Sequence, residues 1–280
     1  MKKWIDKKKT WLYETKAGRI FLDLITKRKS TSKLVGFFAN SVLSKKIIHS
    51  FARDYKIDIN PETSRFIIPK DGFKTLNELF TRDYKKENIN FPKAGDILCS
   101  PAEGYLSVQK NIDSSNLIQA KGFTYSISEL LRESNLDFNG GTLLRIRLTP
   151  KEYHWFHYLD SAKIIKMKKI KGYSYTAEDI SISHIPKMFC RSVRNITLLK
   201  TKNFGNVAYV EIGSTFVSSI FQNNNVGDNV KKGEKKGCFR FGGSTVILLF
   251  QKNKIKLTKK KINSKRESYV KLGKVLGNKL

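Results

Sequence analysis

Near the C-terminus a serine stands between two glycines and an apolar run, in Phe239-Arg240-Phe241-Gly242-Gly243-Ser244-Thr245 followed by Val246-Ile247-Leu248-Leu249-Phe250. Glycine lets the backbone take tight or left-handed conformations that expose a carbonyl, and a hydroxyl immediately after it is the nearest nucleophile. The segment therefore reads as a place where the chain cuts itself at Gly243-Ser244 and turns the serine into a reactive group. The tripeptide recurs as Gly213-Ser214-Thr215, thirty positions upstream. Context separates the two copies. Lys232-Gly233-Glu234-Lys235-Lys236-Gly237-Cys238-Phe239 is a turn-rich approach that would feed the glycine pair from a tight hairpin, and nothing comparable precedes Ser214.

The second group with chemical potential is Glu152-Tyr153-His154-Trp155-Phe156-His157. Just before it, Thr149 can cap a first turn, Pro150 fits the first helical position and Glu152 completes a capping box. The spacing predicts a short helix with His154 and His157 on one face. Zinc would need a third ligand of matching geometry; His49 and His184 come with no supporting motif, so no metal is expected. A histidine serving as general base needs a hydroxyl to deprotonate and a carboxylate to fix its tautomer. Ser244 offers the hydroxyl, and Glu103, in Ser100-Pro101-Ala102-Glu103-Gly104, is a candidate carboxylate. The residues alone leave open that these histidines are structural or lie at the surface.

The chain has 280 residues, 40% of them hydrophobic, enough for one domain with a sizeable core or a domain with an appendage. Its formal charge of +30 is spread along the chain. Such a field favours an anionic partner, either nucleic acid or an acidic membrane surface, although a basic soluble chain needs neither. The absence of a recognition helix pattern, an aromatic RNA-binding motif or a zinc finger argues against nucleic acid. Three cysteines, Cys99, Cys190 and Cys238, lie far apart and outside any C-x-x-C spacing, as free thiols in a reducing cytosol would. No apolar run approaches the roughly 18 residues of a membrane-spanning helix, and the Lys-rich start does not read as a signal peptide, so membrane contact is expected to be peripheral.

The elements that must position these groups fall into two textures. Over residues 1–60 apolar side chains recur at helical spacing: Ile20, Phe21, Leu24 and Ile25, then Leu34, Phe37, Phe38, Val42, Ile47, Ile48 and Phe51, with lysines and arginines between them. The part around Trp4, Trp11 and Leu12 reads as a basic amphipathic segment lying in the headgroup region of a bilayer; the part from Leu34 to Phe51 is expected to pack on the body. Over residues 61–280 the pattern changes to short alternating runs between Gly, Asn and Asp, clearest at 143–148, 207–212 and 245–250, with a helix at 126–132 and a basic loop or surface strand at 259–265. The expected fold class is α+β: a mostly β body of short mixed or antiparallel strands with N-terminal amphipathic helices.

Six blocks in order resemble one family. They are Phe80-Thr81-Arg82; Ser100-Pro101-Ala102-Glu103-Gly104; Lys121-Gly122 with Tyr125 and Leu130-Leu131; the Glu152 to His157 block; Gly205-Asn206-Val207 through Ser219-Ile220; and Lys232-Gly233-Glu234 through Gly242-Gly243-Ser244-Thr245. Together they look like phosphatidylserine decarboxylase, closest to the Gly-Gly-Ser-Thr members of clostridia-like bacteria, from about Trp11 to the C-terminus. The resemblance implies a proenzyme that breaks its own Gly243-Ser244 bond. The serine hydroxyl attacks the preceding carbonyl, the ester is lost by β-elimination, and the dehydroalanine hydrolyses to a pyruvoyl group and ammonia. A β chain of residues 1–243 and an α chain of 244–280, blocked at Ser244, would remain associated, and a homodimer is left open.

By the same resemblance His157 is the processing base, Glu103 stands where the family's orienting aspartate would be, and His154 matches the histidine of the decarboxylation step, with an exchange of the two histidine roles left open. The substrate would be phosphatidylserine in an anionic membrane and the product phosphatidylethanolamine, made at the cytoplasmic face of the cell membrane. The pattern breaks at Glu103, whose carboxylate extends about 1.5 Å further than aspartate, which would slow self-cleavage. It also breaks at Glu152, Trp155, Cys190-Arg191-Ser192-Val193-Arg194, Ser218 and Lys274. The alternative these departures suggest is a homologue that never processes and binds anionic lipid peripherally.

Overall fold

Residues 246–250 are apolar at every position, as suits a strand buried on both faces. The computed structural model describes residues 11–27, 29–120, 122–176, 178–213, 220–240, 242, 244–258 and 267–280. Trp4, Lys121, Ser214, Thr215, Ser218, Ser219, Phe241, Gly243 and the basic run 259–265 thus lie outside the described residues.

One sheet of eight strands organises the described residues. Its spatial order is β11 (Asn229–Val230), β7 (Ala162–Ile170), β8 (Arg194–Thr201), β9 (Asn206–Gly213), β13 (Ser244–Phe250), β5 (Thr142–Leu148), β2 (Gly104–Lys110) and β15 (Ser268–Val270). All neighbouring pairs are antiparallel. Strand β13 occupies the middle: Ser244 faces Gly213 of β9 on one side and Leu148 of β5 on the other.

Alternation then sends side chains to two cores. Val246, Leu248 and Phe250 join Leu144, Ile146, Leu106 and Tyr209 on one face. That face is covered by two three-stranded sheets, β1 (Ile97–Cys99), β16 (Val275–Lys279) and β14 (Ile255–Leu257), and β10 (Ile220–Gln222), β12 (Lys235–Phe239) and β6 (Trp155–His157). Leu98, Leu276, Phe156 and Phe239 carry the contact. Ile247 and Leu249 point the other way, into a core shared with Val210, Leu130, Leu131, Ile182 and Phe189, under the hairpin of β3 (Leu117–Ala120) and β4 (Phe123–Tyr125).

The helices are short. In chain order they include α1 (Lys16–Lys27), α2 (Lys29–Asn40), α3 (Ile48–Asp54), α4 (Leu76–Phe80), α5 (Ile127–Leu131), α6 (Asp179–His184) and α7 (Met188–Arg191), with 3-10 turns at Val42–Ile47 and Lys86–Asn88. The helix expected at 126–132 is present as α5. Ser126 Oγ accepts from the Glu129 N–H at 3.1 Å, Glu129 accepts from the Ser126 N–H at 2.9 Å, and Arg132 ends the helix in the left-handed region.

Three local expectations need correction. No helix forms at 149–157: 149–154 turn, and 155–157 are strand β6. The capping pattern is half realised, since Glu152 accepts from both the amide and the hydroxyl of Thr149 at 2.6 Å. Arg82, however, takes the carbonyls of Lys151 and Glu152, which the next helical turn would have used, and β12 captures the backbone beyond. The approach to Ser244 is likewise not a hairpin. The turn 231–234 joins β11 to β12, and those strands belong to different sheets.

The third correction concerns the segment from Leu34 to Phe51, which packs on the body by one stripe only. Ala39, Ile48 and Ala52 form a small core with Ile57, Phe73, Leu76 and Leu79. Leu34, Phe37 and Val42 are 68%, 76% and 72% exposed, and Phe38, Leu43 and Ile47 are exposed beside them. The buried stripe includes the small residues Ala39, Ser44 and Ala52, and Leu34, Phe37, Val42 and Leu43 find no cover among the described residues.

Candidate active site

The segment 80–84 docks against the histidine segment along its whole length, which is why neither histidine needs a helix to be placed. Phe80 lays its ring on His154, centroids 3.8 Å apart. Thr81 O accepts from the Trp155 indole at 2.9 Å. Arg82, buried over the Phe66 ring, donates to the carbonyls of Leu79, Lys151 and Glu152 at 3.0, 2.6 and 3.0 Å. Burial lowers its pKa to about 10, still well above neutrality, so the guanidinium remains charged. Asp83 accepts from the Tyr153 hydroxyl at 2.9 Å and pairs with Lys235. Tyr84 donates to Glu103.

His157, in β6, is held from both sides. Its amide donates to Pro101 O at 2.8 Å, and its Nδ1 lies 2.8 Å from Gly233 O. Gly233 has φ +79°, a conformation that favours glycine, and this turns its carbonyl toward the ring. A carbonyl oxygen only accepts, so Nδ1 carries the proton and Nε2 keeps the lone pair. Burial, with Lys235 nearby, pushes the His157 pKa down to about 4 against the opposing pull of Gly233 and Asp83, so the ring is neutral at physiological pH.

His154 repeats the logic. Its Nδ1 donates to Glu152 O at 2.9 Å, and burial, helped by Arg82, holds its pKa well below the ordinary histidine value. Its Nε2 is buried with no hydrogen-bond partner among the described residues. Both imidazoles are therefore presented as bases.

Ser244 opens β13, fully buried, and its Oγ also lacks a partner among the described residues. Gly242, two residues earlier, sits at φ +132°, again a conformation side chains disfavour. Strand β12 ties this region to the histidines: the Phe239 amide donates to His154 O at 3.0 Å. On the same sheet face as Ser244, Glu211 lies across from Val246 and forms a buried ion pair with Lys236 at 2.6 Å, with Gln222 bonded to both. Burial raises the Glu211 pKa and lowers that of Lys236.

Of the residues singled out from sequence, His154, His157 and the 100–104 block meet in one place, and Ser244 opens the sheet's central strand. Tyr125, Leu130 and Leu131 do not join them; they are core residues on the opposite sheet face. Glu103 is buried close by, but its partners are Arg65 at 2.6 Å, Tyr269 at 2.6 Å and Tyr84. The hydroxyl beside His157 Nε2, at 3.4 Å, is that of Tyr153. Sequence reasoning missed Asp83, Tyr153 and the Glu211–Lys236 pair. The last had a signal, an acidic residue inside the apolar run 207–212; the first two had none beyond adjacency to the motifs. Among the described residues no group of three or more His, Cys, Asp or Glu side chains could hold a metal ion.

Comparison with known proteins shows what the chain as a whole is similar to. A family profile described as phosphatidylserine decarboxylase matches residues 76–278. The chain is 42% identical over 272 residues to a phosphatidylserine decarboxylase proenzyme from Ruminiclostridium cellulolyticum, covering 95% of this chain and 89% of the relative. Proenzymes of the same description from Clostridium perfringens and Clostridium kluyveri are 38% and 39% identical, over 96% of this chain and 92% and 91% of theirs. A glucose permease IIA structure from Mycoplasma capricolum shares 14% identity at a TM-score of 0.33, covering 65% of this chain and 93% of that one, a likeness too slight to bear on the fold.

Proposed function

Because the chain belongs to the phosphatidylserine decarboxylase family, carboxy-lyases made as proenzymes, we propose that it cuts itself between Gly243 and Ser244 and makes its pyruvoyl group from Ser244. The observation that carries this reading is the buried Ser244 Oγ, unpartnered among the described residues, at the head of the central strand and two residues beyond a glycine in a conformation other residues avoid. A buried hydroxyl without a partner costs about 1–3 kcal/mol, a cost that is understandable if the group is a nucleophile held for one reaction.

The step balances within the chain. Oγ bonds to the Gly243 carbonyl carbon as the C–N bond breaks; the Oγ proton passes to His157 Nε2 and then to the departing amine, leaving an ester. β-Elimination then breaks the Oγ–Cβ bond as the α proton is lost, releasing residue 243 as a free carboxylate, and one water molecule hydrolyses the dehydroalanine left behind to the pyruvoyl group and ammonia. The two products, residues 1–243 and 244–280, would stay together, because three strands of the smaller pair with strands of the larger: β13 with β9 and β5, β15 with β2, and β16 with β1.

The residues present fit such a group, since Ser244 is fully buried on a sheet face that also carries a desolvated ion pair. A pyruvoyl group supplies a ketone that captures the serine amine of phosphatidylserine and accepts the electron pair left by carbon dioxide. His154, neutral and with a bare Nε2, takes up a proton before it can give one to the α carbon, and we assign it that delivery, with exchange of roles with His157 as the alternative.

No described helix is long and apolar enough to cross a membrane. The exposed Leu34, Phe37, Phe38, Val42, Leu43 and Ile47, beside Lys45 and Lys46, form an apolar face with a basic rim, suited to the headgroup region of an anionic bilayer. We place the enzyme there, peripherally, on the cytoplasmic side. The combined test is intact-mass measurement of freshly purified protein. Two chains are expected, the smaller beginning at residue 244 with a blocked end, and Ser244→Ala leaves one chain. An uncut wild-type chain of 32.2 kDa with no hydrazine-reactive carbonyl overturns the reading.

A further inference from the structure

Two carboxylates flank the histidine segment, and their hydrogen bonds run to different places. Glu103 accepts from Arg65, Tyr84 and Tyr269, which fills three of its roughly four acceptor positions with groups that do not touch His157. Asp83 accepts from the Tyr153 hydroxyl at 2.9 Å with one oxygen, while Lys235 holds the other. The Tyr153 oxygen lies 3.4 Å from His157 Nε2. The two sets meet at Tyr84, whose amide donates to Asp83 Oδ1 at 2.9 Å and whose ring centroid lies 4.3 Å from that of Tyr153.

We propose that Asp83, acting through the Tyr153 hydroxyl, is the positioning carboxylate for His157, and that Glu103 instead anchors the Arg65, Tyr84 and Tyr269 cluster. A neutral His157 has its Nδ1 proton on Gly233 O and its Nε2 lone pair toward the Tyr153 oxygen. The tyrosine proton is committed to Asp83, so the resting contact is long. Once Nε2 takes a proton, it becomes a donor facing a phenol oxygen whose own proton is held by a carboxylate. The imidazolium is stabilised at the moment it forms, and the Tyr153 proton stays where it is. Glutamate at 103, longer than the aspartate expected there, is tolerated because the orienting contact has another source.

The inference rests on the reading of His157 as the processing base, and the test separates the two. Full-length chain is translated in a cell-free system and its cleavage followed with time across pH for wild type, Asp83→Asn, Tyr153→Phe, the double variant and His157→Ala. Asp83→Asn and Tyr153→Phe are each expected to slow cleavage at least tenfold, and the double variant to be no slower than the slower single one, because the two residues act as a unit. The groups around His157 are Asp83 from the 81–84 segment, Lys235 from β12, Tyr153 from its own segment, the Gly233 carbonyl and the apolar ring of Phe91. Removing the negative charge of Asp83 should therefore move the acid limb of the rate to lower pH, a shift that a merely structural role would not produce. Tyr153→Phe removes one hydroxyl and keeps the ring, so it carries the test should Asp83→Asn fail to fold. Wild-type rates in both single variants, or multiplicative effects in the double, overturn the relay while leaving His157 in place if His157→Ala blocks cleavage. Undiminished cleavage by His157→Ala overturns both.

Discussion

Strand β13 and the helical segment around α2 carry similar side chains to opposite fates. Val246, Ile247, Leu248, Leu249 and Phe250 are all completely buried, whereas Leu34, Phe37, Val42 and Leu43 are mostly exposed. The difference is in the neighbours. A strand bonded on both edges and covered on both faces has no solvent side, while a short helix resting on alanines has only its narrow stripe to bury. Apolar character therefore serves cohesion in one region and is left available for another phase in the other.

That contrast breaks most easily in the body. Leu248→Ala, made in a Ser244→Ala background so that one species is present, should cost about 2–5 kcal/mol of unfolding free energy in urea titration. Phe37→Ala in the same background should stay within about 0.5 kcal/mol of its parent. Equal costs would show that α2 is core after all.

Acid should act on the body too. The His157 pKa is about 4 when folded and about 6.5 when unfolded, so the unfolded chain binds the extra proton between those values. Stability is then complete above about pH 6.5 and declines as pH falls toward about 4, by on the order of 3 kcal/mol for this one ring. His154, depressed for the same reason, adds to the loss. Replacing His157 by Gln in the uncut background should flatten this decline, read from thermal midpoints across pH.

On the helical side the sensitive quantity is partition onto lipid. Burying a phenylalanine stabilises by about 1.5–3 kcal/mol, so Phe37→Glu should weaken binding to anionic vesicles about 10- to 100-fold with cleavage at residue 244 unaffected. Unchanged vesicle binding would remove the membrane role from this face. The smallest expected effect belongs to Lys235→Met: it takes away a charge that lowers the His157 pKa, so the acid limb of self-cleavage should move upward, opposite to Asp83→Asn.

Several of these elements were legible before any coordinates. The strands at 143–148, 207–212 and 245–250 and the helix at 126–132 follow from local sequence patterning, which spans few residues. The helix expected at 149–157 failed for a non-local reason, because Arg82, some seventy positions away, takes the carbonyls it needed. Glu103 was legible as a candidate carboxylate for a histidine, but its burial and its hydrogen-bond partners were not. The choice among Arg65, Tyr84 and His157 depends on side chains converging from segments far apart in the chain.

Residue type and order were thus sufficient for the family and the β-rich body, since ordered motifs, turns and alternating strands are written in short stretches of chain. Tertiary structure alone decided which proton each imidazole keeps, which carboxylate reaches His157 through Tyr153, and which apolar face stays uncovered. Those outcomes depend on hydrogen bonds and burial between segments far apart in the chain, and no local pattern encodes them.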